Sequence, residues 1–266
     1  MGRTHLGLIL VLTVFAGLGT LGWYLVKDKV RNMPTLRLSP EYITVSPPPD
    51  WVPDRFVEEV LQSSGLNRTG YLQDKTLPQK LAEAFAAHPW VEKVEHVVPR
   101  YPSGAAVALS YRVPVALVET SQSRVLPVDR NGVLLPQTYL TETSADQWSK
   151  HFVIQGIQSM PLGSAGTPWG DPMVVMAAQL AAELSDIAEP LNLAKIIPAK
   201  EMVPSGTRIA CRLKTIGGME FHWGTFVPDD PKTEAKRKKL QTLHDQFQSL
   251  DNIPASFRPM IDLSRE

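Results

Sequence analysis

Apolar positions follow three different patterns along the chain. From Leu6 to Val26 they run on without an ionisable residue. At roughly 1.5 Å per residue this stretch spans about 31 Å, the thickness of a bilayer core. Its Leu, Ile, Val and Phe residues favour insertion by about 4–7 kcal/mol. Trp23 and Tyr24 stand at its end, where amphipathic rings prefer a membrane interface. The pattern predicts a short tail over residues 1–5, a single N-terminal transmembrane helix over 6–26 and a juxtamembrane linker over 27–40. A cleaved signal peptide is the alternative, since small residues surround Ala16–Gly19.

Beyond the linker the period changes. "EYITV" reads as a short strand, broken by "SPPPDWVPD", because consecutive prolines feed neither a ladder nor a helix interior. Phe56, Val57, Val60 and Leu61 then share one helical face, and Gly65 stops that helix. A second helix starts near Leu77, with Leu81, Ala84 and Phe85 as its stripe. His88-Pro89 ends it, since a residue before proline is pushed out of the helical region. Alternation returns in Val94–Val98 and in Val107–Tyr111, separated by the turn "PRYPSG". Residues 41–119 thus predict a strand-helix-helix-strand-strand domain, its two helices on one face of a short sheet.

A second domain is predicted over residues 120–266. "RVLPVDRNGVLLP" reads as a hairpin, with Asn131-Gly132 supplying two positive-φ residues to a tight turn. "HFVIQG" is a strand and "PLGSAGTPWGDP" a loop. Pro172–Ala188 is a helix with Met173, Met176, Ala177, Leu180, Leu184 and Ile187 on one side. "LAKIIPA", "TRIACRLKTI" and "MEFHWGTF" are strands, the last two a hairpin. Pro231–Leu250 is a helix carrying Leu240, Leu243, Phe247 and Leu250 on one face, capped by Asp230. "FRPMIDL" closes the chain as a strand. The fold class expected is α+β, with a mostly antiparallel sheet in the second domain.

Composition narrows the function. Lys+Arg and Asp+Glu number 27 each, which argues against a nucleic-acid binder, since such a protein needs a basic face to neutralise phosphates. The lone cysteine, Cys211, excludes an intramolecular disulfide and a zinc site built on several thiolates. Its alternation with Arg208, Arg212 and Lys214 makes it a core residue of a half-buried strand. The six histidines are scattered without metal-ligand spacing. "GSAG" lacks the spacing of a nucleophile elbow, and no phosphate-binding or dinucleotide fingerprint occurs. No cofactor, metal site or catalytic residue is expected. Asn67-Arg68-Thr69 is a glycosylation sequon with meaning only in a eukaryotic secretory context. Lys236–Lys239 is a basic run that reads as a solvated helical face, or as a partner surface.

Taken together, the chain resembles the FtsQ/DivIB bacterial cell-division proteins, and residues 41–119 resemble a POTRA domain. The residues that carry this are His88-Pro89-Trp90-Val91, Val94, Arg100-Tyr101-Pro102, Pro114-Val115-Ala116, "VDRNGVLLP" from Val128 and "MIDL" near the end. Tyr111 departs from it, standing where the family commonly has an acidic residue. The resemblance implies a cytoplasmic N-terminus, single-pass anchoring in the bacterial inner membrane and extracytoplasmic domains. Lys27, Lys29 and Arg31 oppose that orientation by basic-residue counting. It implies a non-enzymatic scaffold of the division septum, whose partners are other membrane-anchored division proteins, with the lipid bilayer contacted through residues 6–26. It places the main partner surface on the last strand: Phe257, Arg258, Met260 and Ile261. Docking by strand addition uses a sheet edge, and in the POTRA-like unit the strand holding Val107, Leu109 and Tyr111 is the edge candidate. The rivals are a membrane-tethered exported hydrolase, with His151, His222, Asp129 and Asp171 as groups that would converge, and a POTRA-bearing transport or secretion component. The latter calls for repeated units or a membrane barrel, of which the sequence has neither.

Overall fold

The computed structural model describes residues 16–27, 38–69, 74–100, 104–142, 150–204, 206–247, 249, 251 and 261–264. It corrects the membrane expectation. Among the described residues no helix is long and apolar enough to cross a membrane. Residues 16–27 are helical, which is about 18 Å of rise against a bilayer core of about 30 Å. Gly17, Gly19, Thr20 and Gly22 dilute what apolar character this piece has. Residues 6–15 of the expected span lie outside the described residues. Single-pass anchoring, the localisation built on it and bilayer contact through residues 6–26 are therefore not supported.

The chain divides into two compact units. The first holds Met1–Pro47, Asp54–Ala86 and Val94–Leu109; the second holds Pro48–Pro53, Ala87–Lys93 and Ser110–Glu266. In the first, a 3-10 turn at Pro40–Tyr42 leads into strand β1 (Ile43–Val45), followed by helices Phe56–Ser63, Leu66–Thr69 and Leu77–Ala86. β2 (Val91–Pro99) and β3 (Ala105–Tyr111) complete a sheet of order β1-β3-β2, with β1 parallel to β3. Helical spacing brings Phe56, Val60, Leu61, Leu81 and Phe85 to the interior, and the rings of Phe56 and Phe85 sit 5.6 Å apart. Gly104 holds φ +127, and a side chain there would collide with the Tyr42 carbonyl oxygen, so only glycine suits this approach.

The second unit is built on seven strands. In chain order they are β4 (Pro114–Glu119), β5 (Val125–Asp129), β6 (Phe152–Ile154), β7 (Leu193–Val203), β8 (Gly206–Thr215), β9 (Glu220–Gly224) and β10 (Ile261–Asp262). Their spatial order is β10-β9-β8-β7-β6-β4-β5. The sheet is mixed, which corrects the antiparallel expectation. β4–β5, β7–β8 and β8–β9 are antiparallel, whereas β4–β6, β6–β7 and β9–β10 are parallel. The reason is connectivity. The Pro172–Ala188 helix joins β6 to β7, and the Pro231–Phe247 helix stands between β9 and β10. A helical crossover returns the chain to the end where it started, so the strands it joins run parallel. β4 belongs to this sheet, so the second unit begins before residue 120.

One face of the sheet carries the core. Ala116, Val118, Phe152, Ile154, Ile196, Cys211, Leu213, Phe221 and Trp223 are buried with Val174, Ala177, Ala178, Leu180, Ala181 and Leu184 of the Pro172–Ala188 helix. Leu240 of the Pro231–Phe247 helix is buried there too, with Leu243 and Phe247 packed against the cluster.

Candidate docking edge

The two ends of the seven-stranded sheet are finished differently. At the β5 end the chain lays two further segments alongside. Leu135 N–H donates to the Pro127 carbonyl at 2.8 Å, and Val128 bridges Leu134. Beyond them, Leu134 N–H reaches Thr167 O at 2.9 Å and Trp169 N–H reaches Gly132 O at 2.8 Å. That margin is covered by the protein itself. At the other end β10 is the terminal strand, held parallel to β9 with Ile261 opposite Phe221 and Asp262 opposite His222. Leu263 N–H donates to His222 O at 2.9 Å, and buried Leu263 pins the strand to the core. Lys239 Nζ reaches the Asp262 carbonyl at 3.4 Å, and Asp262 Oδ1 accepts from Ser264 N–H at 2.8 Å.

Of the residues expected on this edge, Phe257, Arg258 and Met260 lie outside the described residues. Ile261 is turned inward and packs against the core cluster, so its side chain serves packing. In the first unit the expectation is corrected. β3 is the central strand, flanked by β1 and β2. Val107 and Leu109 are buried and Tyr111 is half-buried, where burial pushes its phenol up to about 12. The alternation in Val107–Tyr111 is that of a strand with a buried face, and it carries no information on which neighbours it pairs with. The margins of this sheet are β1 and β2; β2 is the longer, and most of its residues are exposed.

The groups weighed for catalysis are engaged separately. Asp129, 2% exposed, accepts from Asn131 N–H at 2.8 Å and Val133 N–H at 2.9 Å, and its other oxygen pairs with Arg112 at 2.7 Å. Asp171 caps the Pro172–Ala188 helix by accepting from Met173 N–H at 2.9 Å, and it also accepts from Ser159 Oγ at 2.6 Å. His151 Nε2 meets the Tyr139 hydroxyl at 2.6 Å; burial lowers the imidazole and raises the phenol. His222 stands 3.7 Å from Glu201 and is largely covered, contrary to the solvent exposure that its strand phase suggests. Among the described residues no group of three or more His, Cys, Asp or Glu side chains is placed to hold a metal ion. Half of the basic run turns inward, Lys236 and Arg237, while Lys238 and Lys239 stay exposed. Lys236 Nζ donates to Trp223 O at 2.7 Å, with its amine lowered by burial, and Arg237 pairs with Asp186 at 2.5 Å and Glu183 at 3.5 Å.

Sequence reasoning missed the Arg112–Asp129 pair and the clips around it. Trp51 Nε1–H donates to Arg112 O at 3.1 Å, and Arg112 N–H donates to Trp90 O at 2.9 Å. It is Asp129 that is buried, and a buried carboxylate needs a cation or donors, but nothing in the spacing of positions 112 and 129 names the partner. No protein-family model matches the chain, and no curated protein matches it.

Proposed function

We propose that the chain is a non-enzymatic docking scaffold that recruits or regulates other proteins of the bacterial division septum by strand addition. The observation that carries this reading is the terminal position of β10, at the end of the sheet where the chain lays no further strand among the described residues. A partner strand set beside it would extend the backbone ladder, and flanking side chains would supply selection. The FtsQ/DivIB resemblance implies docking at the same end of the chain. In the first unit, docking is read for β2 in place of β3. The separate engagement of Asp129, Asp171, His151 and His222 favours a binding protein over a hydrolase.

A tagged copy is expected to concentrate at midcell in dividing bacteria; uniform distribution counts against a division role. A photo-crosslinking residue at Asp262 is expected to capture a division protein, and the same residue at exposed Leu162 is not. Equal capture at both positions, or at neither despite midcell enrichment, removes β10 as the docking edge.

A further inference from the structure

The β7–β8 hairpin outruns the sheet that holds it. β6 pairs with β7 only as far as Ile196, and the pairing of β9 with β8 ends at Cys211. Beyond those points residues 199–203 pair with 206–210 in regular antiparallel register, and no third strand joins them among the described residues. Near the end of this ribbon Met202 stands opposite Thr207. Met202 is 86% exposed, against 41% for Met160 and 7% for Met219, while Met173 and Met176 are half-buried and pack against the core. A thioether so open to water is not held by packing. Its neighbour is a hydroxyl: Thr207 Oγ1–H donates to Met202 Sδ at 3.5 Å. Sulfur is a weak acceptor, and the contact engages one of its two lone pairs. One step nearer the sheet, Arg208 pairs with Glu201 at 3.0 Å and ties the same two strands together.

We propose that Met202 is an oxidative modification site, taken to the sulfoxide by hydrogen peroxide ahead of the other described methionines, with Thr207 deciding which sulfur lone pair reacts. In the step, a lone pair of Sδ attacks one peroxide oxygen. The S–O bond forms as the O–O bond breaks, and the departing hydroxide takes the proton left on the transferred oxygen and leaves as water. Sulfur loses two electrons and the peroxide gains them. Access sets the order of reaction, because the oxidant must reach the sulfur. The Thr207 hydroxyl occupies one lone pair, so the peroxide meets the other, on the side away from β8. Oxygen added there points to solvent and makes one sulfoxide epimer in preference to its mirror form at sulfur. The end of the ribbon changes from an apolar surface to a polar one.

The test exposes the full native chain to hydrogen peroxide, quenches samples over time, digests them and follows each methionine by mass spectrometry. Oxidation should follow exposure, with Met202 ahead of Met160 and about tenfold faster than Met219. The peptide holding oxidised Met202 is then given to the two methionine sulfoxide reductases, each of which reduces one epimer. One enzyme should reduce about threefold more of it than the other, the bias that one modest hydrogen bond supplies. Thr207→Val, at an exposed position, should bring the mixture close to even while Met202 still reacts first. The same treatment in urea should level the rates and the epimers alike. Met202 reacting no faster than Met219, or later than Met160, overturns the site. A close-to-even mixture from the native chain, or a bias that Thr207→Val leaves intact, overturns the part given to Thr207.

Discussion

Asp129, 2% exposed, concentrates more interactions than any other carboxylate described above. One oxygen accepts two backbone N–H groups and the other holds Arg112, whose side chain is 16% exposed. Replacing Asp129 by Ala leaves a largely covered guanidinium and two backbone donors without that acceptor. Breaking such a pair from one side destabilises by about 3–5 kcal/mol. Urea unfolding of Asp129→Ala should show a loss of that size; a loss below about 1 kcal/mol would show the pair to be dispensable. Cys211 makes a contrasting case. It is fully buried in the core, and burial pushes its thiol up to about 12. A thiolate is the reactive form, so Cys211 should ignore a thiol reagent in the native protein and react at the rate of unfolding. The sign with pH follows. A raised folded-state value means that stability is intact below the unfolded thiol's value of about 8.5 and declines as pH rises above it. Denaturant midpoints measured from pH 8 to 10 should fall for the native chain and fall less for Cys211→Ala.

At the scale of elements, the Pro172–Ala188 helix decides most. Asp171 closes its N-terminus and is itself gripped by Ser159 Oγ, which also accepts from buried Trp169 Nε1 at 3.2 Å. Asp171→Ala should cost about 1–2 kcal/mol, read as a fall in melting temperature of roughly 2–4 °C per kcal/mol. Asp171→Asn, which keeps an acceptor for Met173 N–H, should recover much of it. This helix was legible in the sequence because proline at its first turn and a long apolar stripe mark it. The stripe is wider than its strongest members suggest: Val174, Ala178 and Ala181 are buried, whereas Met173 and Met176 are only partly so. Small residues let the helix lie close to the sheet, which a hydrophobicity pattern alone does not reveal. The segment Val125–Pro136 was half legible. β5 and the Asp129–Gly132 turn are present, but only Gly132 of the Asn131-Gly132 pair takes positive φ, at +69. Asp129 shapes the turn instead by accepting from residues 131 and 133, and the second arm is reduced to a bridge at Leu134. The direction of β6, β7 and β10 was not legible, because strand periodicity is the same in parallel and antiparallel ladders. The edge role assigned to Val107, Leu109 and Tyr111 failed for the same reason.

The whole molecule shows why a boundary at residue 120 is in the wrong place. Thr120 begins a turn, and its hydroxyl closes that turn on the Arg124 carbonyl at 3.1 Å, so the local sequence suggests a fresh start. The long-range pairing says otherwise. β4 lies between β6 and β5, with Ala116 opposite Phe152 on one side and Leu117 opposite Pro127 on the other. Ala116, Leu117 and Val118 are at most 1% exposed. A fragment of residues 120–266 loses this strand, leaves ladder groups of two others without partners, and forfeits about 5 kcal/mol of apolar burial. That is comparable with the whole stability of many domains. The fragment should therefore show no cooperative unfolding and little dispersion in its amide spectrum. A fragment of residues 87–266 keeps β4, keeps the Arg112 N–H bond to Trp90 O, and carries residues 94–109 of the first unit as an insertion of a length that is entropically tolerable. It should unfold cooperatively and give a dispersed spectrum. If 120–266 instead folds as well as 87–266, β4 is an accessory to the sheet, and the second unit's core is the β6–β9 block with its two helices.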